Sequence, residues 1–153
     1  MHNISISNAM NVDPSCLAQI RVEAMRPSLE AIGRFDPERA RKRFLETYNP
    51  LDTRIIRNGN DLIGFYVVRA RHDHLYLDHV YIHPTHQRGG LGRSIVRSVQ
   101  ERARQAELPI RLMALRGSPA NDFYASCGFH LERSDEIDNY YIWEPTKSTK
   151  QER

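Results

Sequence analysis

The sequence predicts a mixed α+β fold, one sheet with helices on its faces. Three observations lead there. Short β-branched runs and longer helical-period runs follow one another as strand, two helices, three strands, helix, strand, helix, two strands. Asn58-Gly59 joins two strand-like runs and is a strong hairpin signal. Between Leu75 and Ala106 a strand runs into a glycine-rich turn, and the turn into an amphipathic helix.

Each element has a local cause. Ile4 and Ile6 alternate with polar residues as a first strand. Asp13-Pro14 and Asp36-Pro37 each place an N-cap before a proline at the first helical position. Leu17, Ile20 and Ala24, then Ala40, Phe44 and Leu45, give those two helices their apolar positions, with a loop expected over Met25–Phe35. Thr53–Arg57 and Leu62–Arg69 flank the hairpin, and Leu75–Ile82 is a strand ended by Pro84. Leu91, Ile95, Val99, Ala103 and Ala106 share one helical face. Ile110–Leu115 reads as a strand, and Pro119–Ser126 as a short helix closed by Gly128. Phe129–Arg133 and Asn139–Trp143 form the last strand pair.

The chain has 153 residues, enough for one domain with a full core, expected over 1–146 with a mobile polar tail at 147–153. No apolar run reaches the roughly 20 residues of a membrane span. The N-terminus lacks the pattern of a secretory signal. Cys16 and Cys127 make neither a disulfide framework nor a zinc pattern. These features predict a cytoplasmic protein. The net charge is only +3, but 19 of the 22 basic residues are arginine, whose fork suits phosphate and carboxylate. No block of like charge predicts nucleic-acid binding.

The most informative stretch is Val80-Tyr81-Ile82-His83-Pro84-Thr85-His86-Gln87-Arg88-Gly89-Gly90-Leu91-Gly92-Arg93. Gly89, Gly90 and Gly92 would weaken a helix start if stability alone mattered. They make sense where a ligand approaches the backbone, and the N–H groups of a helix N-terminus suit an anion such as pyrophosphate. Arg88 and Arg93 add charge. A P-loop would need lysine at Arg93 and glycine at Gln87, and a dinucleotide fingerprint would need glycine at Ile95. The pattern present is Gln-x-x-Gly-x-Gly.

That pattern resembles the acetyl-CoA motif of the GNAT superfamily of N-acetyltransferases. Val80-Tyr81-Ile82-His83-Pro84 resembles the strand and exit proline before it. Ser118–Phe129, with Phe123-Tyr124 preceding Gly128-Phe129, resembles a later family segment, and the element order agrees over about residues 4–144. The resemblance implies a mostly antiparallel, twisted sheet of about seven strands with helices on both faces. It also implies acetyl transfer from acetyl-CoA to a primary amine by direct transfer in a ternary complex, with no metal. Gln87, Arg88, Gly89, Gly90, Leu91, Gly92 and Arg93 would hold the phosphates. Val80, Tyr81 and Ile82 would pair with the pantetheine arm, and a strand N–H there would polarise the thioester. Tyr124 would face the leaving sulfur, and Asn121 is a candidate for the pantetheine amides.

The base and the acceptor site are less explicit. Where some family members carry a glutamate on the fifth strand, this chain reads Leu112-Met113-Ala114-Leu115. Asp78 is the expected catalytic carboxylate, with His79 beside it as a substrate-binding candidate; neighbours in a strand point to opposite faces. Glu30, in the expected loop between the first two helices, is a candidate for a cationic amine. The acceptor is a small-molecule or peptide amine, and a homodimer is compatible with the family. Two competing readings remain. One is a coenzyme A-binding sensor without catalysis. The other is a metal protein built on His72, His74, His79, His83 and His86, although no cysteine or Glu-His set completes a zinc pattern.

Overall fold

The computed structural model describes residues 3–146, so the expected tail at 147–153 lies outside the described residues. The elements are β1 (Ile4–Asn8), α1 (Pro14–Ala31), α2 (Pro37–Thr47), β2 (Thr53–Asn58), β3 (Asp61–Ala70), β4 (Leu75–Ile82), α3 (Leu91–Ala106), β5 (Ile110–Leu115), α4 (Ala120–Ser126), β6 (His130–Ser134) and β7 (Asp138–Trp143). Short 3₁₀ turns occupy Pro50–Asp52 and Pro84–Gly89. The seven strands form one sheet in the order β1-β2-β3-β4-β5-β7-β6. β1–β2, β2–β3, β5–β7 and β6–β7 pair antiparallel, and β4–β5 parallel. The fold is the mixed, mostly antiparallel one that the sequence predicts.

The chain divides into two compact units, Met1–Val67 with His79–Gly89, and Val68–Asp78 with Gly90–Arg153. In the first unit, Leu17 and Ala18 of α1 and Phe44 of α2 cluster with Ile55, Phe65 and Val67 of β2 and β3. Asp13 caps α1 by accepting from the Ser15 N–H at 2.9 Å, and Asp36 caps α2 by accepting from Arg39 at 3.1 Å. In the second unit, the buried set comes from Ile95, Val96, Val99 and Ala103 of α3, from Leu75 and Leu77 of β4, and from Ile110 and Leu112 of β5.

One expectation is corrected. The loop expected to begin at Met25 is helix as far as Ala31, because α1 runs through Pro27. Proline removes one intrahelical donor there. Arg26 Nε binds Glu30 Oε2 at 2.9 Å one turn on, and the Arg26 guanidinium stacks 5.1 Å from the Phe35 ring. The helix then ends with Gly33 at φ +69°, the Arg34 N–H bonding to Leu29 O and the Gly33 N–H to Glu30 O. That is a Schellman closure, and it places the stop at the glycine rather than the proline.

Burial alternates along β4 from Leu75 to His79, with Asp78 half-buried and His79 buried.

Candidate functional site

In the first unit, β4 leads into the 3₁₀ turn Pro84–Gly89. Gln87 reaches back, its Nε2 donating to Ile82 O at 2.8 Å. A chain of polar contacts fixes the turn. Asn58 Nδ2 lies 3.2 Å from His86 Nε2, His86 Nδ1 lies 2.9 Å from Thr85 Oγ1, and Thr85 Oγ1 lies 2.9 Å from His83 Nδ1. With Asn58 donating, His86 carries its proton on Nδ1 and passes the donor sense along the chain. Arg88 and Gly89 are exposed on this turn.

The N-terminus of α3 belongs to the second unit. Its N-cap is Gly90, left-handed at φ 82° and ψ 6°, and no side chain caps the helix. The first turn holds no acidic residue. This start therefore differs from those of α1 and α2, where aspartates cover the early N–H groups. The first-turn N–H groups have no intrahelical acceptor by construction. An arginine in the first turn also opposes the helix dipole. The Arg93 guanidinium avoids part of that conflict by donating to Ser126 O at 3.3 Å and Ser126 Oγ at 2.9 Å at the end of α4.

Asn121 is tied on every side. Its Nδ2 donates to Leu115 O at 2.8 Å and Ser118 O at 2.9 Å, while its Oδ1 accepts from Asn139 Nδ2 and from the Tyr141 hydroxyl, both at 2.8 Å. The amide thus joins β5, the start of α4 and β7. Replacing it with alanine leaves those partners short of bonds, and a stability loss of about 2–4 kcal/mol is expected by urea unfolding. A residue that only met coenzyme would leave the unfolding midpoint of the free protein unchanged.

Tyr124, 9% exposed on α4, packs edge-to-face against Phe123 at 5.2 Å and Phe129 at 5.6 Å. Gly128, at φ +94°, closes the helix as expected, and a β-carbon there would meet Trp143 Cδ1 at 3.5 Å.

The acceptor candidates fall as follows. Asp78 Oδ2 accepts from Arg69 Nε at 2.8 Å, answering the charge of a guanidinium that is 9% exposed. Sequence reasoning missed Arg69, although the short hairpin between Ala70 and Leu75 already brings the two strands back side by side. In the first unit His79 is buried among rings, with Phe44 at 5.5 Å, Phe65 at 6.4 Å and Tyr81 stacked at 5.5 Å. The Tyr81 hydroxyl lies 3.4 Å from His79 Nδ1. Glu30 sits on the last turn of α1, exposed and ion-paired to Arg26. The parallel ladder between β4 and β5 has rungs at Leu75 and Tyr76, and β4 continues beyond the last of them to Ile82.

A cleft of about 350 Å³ lies between α1 and α2, lined among others by Gln19, Glu23, Arg26, Phe35, Glu38 and Arg41. None of the expected site residues lines it. The histidines have other surroundings. His74 Nδ1 bonds to Asp73 at 2.8 Å, which holds the Asp73 carboxyl below its usual range; His79 is in the ring cluster, and His83 and His86 fix the turn. Among the described residues no three His, Cys, Asp or Glu side chains gather as metal ligands. No described helix is long and apolar enough to cross a membrane.

Solved structures with this fold are known. PaiA N-acetyltransferase from Thermoplasma acidophilum, in complex with coenzyme A, is 17% identical with a TM-score of 0.71, covering 92% of this chain and 98% of its own. The ribosomal-protein-S18-alanine N-acetyltransferase from Escherichia coli is 15% identical with a TM-score of 0.68, covering 95% and 96%. An acetyltransferase from Thermus thermophilus is 20% identical with a TM-score of 0.65, covering 94% and 99%. No curated protein matches the sequence. The family model described as Acetyltransferase (GNAT) family matches residues 18–129. With most of its length inside that match and its sheet in the same fold, the chain belongs to the GNAT acetyltransferase family.

Proposed function

We propose that this protein is an N-acetyltransferase that moves the acetyl group of acetyl-CoA to a primary amine by direct transfer in a ternary complex. The observation that carries this reading is the start of α3. A left-handed Gly90, no side-chain cap and no acidic residue in the first turn suit an external anion, and pyrophosphate is that anion. Coenzyme A in the Thermoplasma relative supports the same choice.

The N–H groups of Leu91, Gly92 and Arg93 bind phosphate oxygens, with Gly89 and Gly90 allowing close approach. Arg88 supplies charge from its exposed position. Gln87 holds the turn to Ile82. The pantetheine arm takes the edge of β4 at Val80, Tyr81 and Ile82, beyond the last β5 rung, and a strand N–H polarises the thioester carbonyl. Asn121 acts by fixing α4, and so by placing Tyr124 at the leaving sulfur. A phenol titrates near 10 and a thiol near 8.5, so Tyr124 stabilises the leaving thiolate chiefly as a hydrogen-bond donor.

Asp78, paired with Arg69, is the proposed base for the acceptor's proton, and His79 beside it on β4 is the proposed acceptor contact. Glu30, once freed from Arg26, attracts a cationic acceptor.

The test is thiol release from acetyl-CoA over a panel of small amines, amino acids and peptides. Turnover with at least one amine is expected, and coenzyme binding with no turnover on any of them would favour a non-catalytic sensor. Tyr124→Phe is expected to lower kcat roughly 10- to 100-fold while changing acetyl-CoA affinity less than about threefold. Equal losses in both would assign Tyr124 to packing alone.

A further inference from the structure

Helix α4 has only seven residues, Ala120–Ser126, and it carries Tyr124. A helix this short is not stable by itself and depends on what holds its ends. Its N-cap, Pro119, makes no side-chain cap bond, and its last turn has no basic residue. Asn121 secures the first end to β5 and β7. The carbonyls at the last end need partners from another element.

Those partners come from α3. Arg93 and Gln100 stand two turns apart on one face of that helix. Gln100 is 7% exposed, an uncommon place for a polar side chain, and its Nε2 donates to Cys127 O at 2.9 Å. The Arg93 guanidinium forks onto the same end of α4. Its Nη1 donates to Ser126 O at 3.3 Å and lies 3.9 Å from Cys127 Sγ, while its Nη2 donates to Ser126 Oγ at 2.9 Å. The Ser126 hydroxyl in turn donates to Phe123 O at 2.7 Å, the carbonyl of the residue before Tyr124. The sequence suggests that the charge of Arg93 serves the phosphate turn. In the structure its guanidinium is engaged with α4, and its backbone N–H stays at the helix start.

We propose that Arg93 and Gln100 are positioning residues for Tyr124. Through them α3 governs both ends of the coenzyme. Its first turn takes the phosphates, and its side chains fix the helix that brings a hydroxyl to the sulfur. The proposal rests on the roles given above to the start of α3 and to Tyr124. It assigns the Arg93 guanidinium to the leaving group and leaves phosphate affinity to the backbone.

Coenzyme A itself is the probe, so no acceptor is needed. The thiolate fraction of the bound coenzyme is read by absorbance at a fixed pH below tyrosine ionisation, and acetyl-CoA affinity by calorimetry. A hydrogen bond from Tyr124 favours the thiolate, so Tyr124→Phe should lower that fraction roughly three- to tenfold. Arg93→Met keeps the apolar stem and removes the fork. It should lower the fraction similarly, with acetyl-CoA affinity changed less than about threefold. Arg93→Lys keeps the charge without the fork and should not restore the fraction. Adding Arg93→Met to Tyr124→Phe should lower it no further, because the hydroxyl being positioned is already gone. If Arg93→Met does not fold, Ser126→Ala decides; it removes one arm at an exposed position and should lower the fraction about twofold. A wild-type thiolate fraction in the Arg93→Met or Ser126→Ala protein overturns the proposal. So does a tenfold loss of acetyl-CoA affinity in Arg93→Met, on the order of one lost phosphate contact, or a further loss of thiolate in the Tyr124→Phe background. Failure of the underlying reading looks different: Tyr124→Phe alone would keep the wild-type fraction, and the proposal would fall with it.

Discussion

Gly90→Glu is expected to weaken acetyl-CoA binding at least about 100-fold, as read by calorimetry on the folded variant. Two causes combine. Gly90 holds φ +82°, a conformation that costs other residues about 1–2 kcal/mol. The added carboxylate also stands at the helix start, where the first-turn N–H groups and the dipole would otherwise meet phosphate. The two causes separate experimentally. Gly90→Ala carries the strain without the charge, and no atom lies within 4 Å of a β-carbon built there. It should lose about 1 kcal/mol of stability and keep most of the affinity. A folded Gly90→Glu protein that binds acetyl-CoA as tightly as the wild type would show that the phosphates lie elsewhere.

Gly64→Ala is expected to destabilise the protein by about 3 kcal/mol or more in urea. A β-carbon on Gly64 would lie 2.2 Å from Tyr81 O and 3.1 Å from Ile82 Cα. Both contacts are to backbone, so no side-chain rotation relieves them. β3 or β4 must shift, and the segment that moves is the one that leads into the turn at Pro84. Acetyl-CoA affinity should fall together with stability. An alanine variant within about 0.5 kcal/mol of wild type would mean that the two strands separate at no cost.

Most of the fold is legible in the sequence because its elements are bounded by strong local signals. Asp13-Pro14 and Asp36-Pro37 start helices in the structure, and Leu75–Ile82, Leu91–Ala106 and Ile110–Leu115 have the predicted bounds. The expected loop Met25–Phe35 is helix only through Ala31, although proline breaks helices on average. Around Pro27 the loss of one donor is offset by an Arg26–Glu30 pair and by a glycine stop six residues later at Gly33. The site is legible where its chemistry is backbone chemistry. Three glycines after a strand mark the proposed phosphate-binding turn, and no tertiary contact is needed to see it.

Side-chain roles are harder to read because they depend on partners far along the chain. Asn121 reads in the sequence as a candidate for the pantetheine amides, and its bonds to Asn139 and Tyr141 of β7 have no local signal. The pairing of Asp78 with Arg69 joins β4 to β3 and has no signal within either strand's own sequence.

The central claim is that the start of α3 binds the phosphates of acetyl-CoA, and amide chemical shifts test it most directly. On titrating acetyl-CoA into the ¹⁵N-labelled chain, the account predicts the largest displacements at Gly89, Gly90, Leu91, Gly92 and Arg93. Saturable binding with those five amides unmoved, or no binding at all, would contradict it.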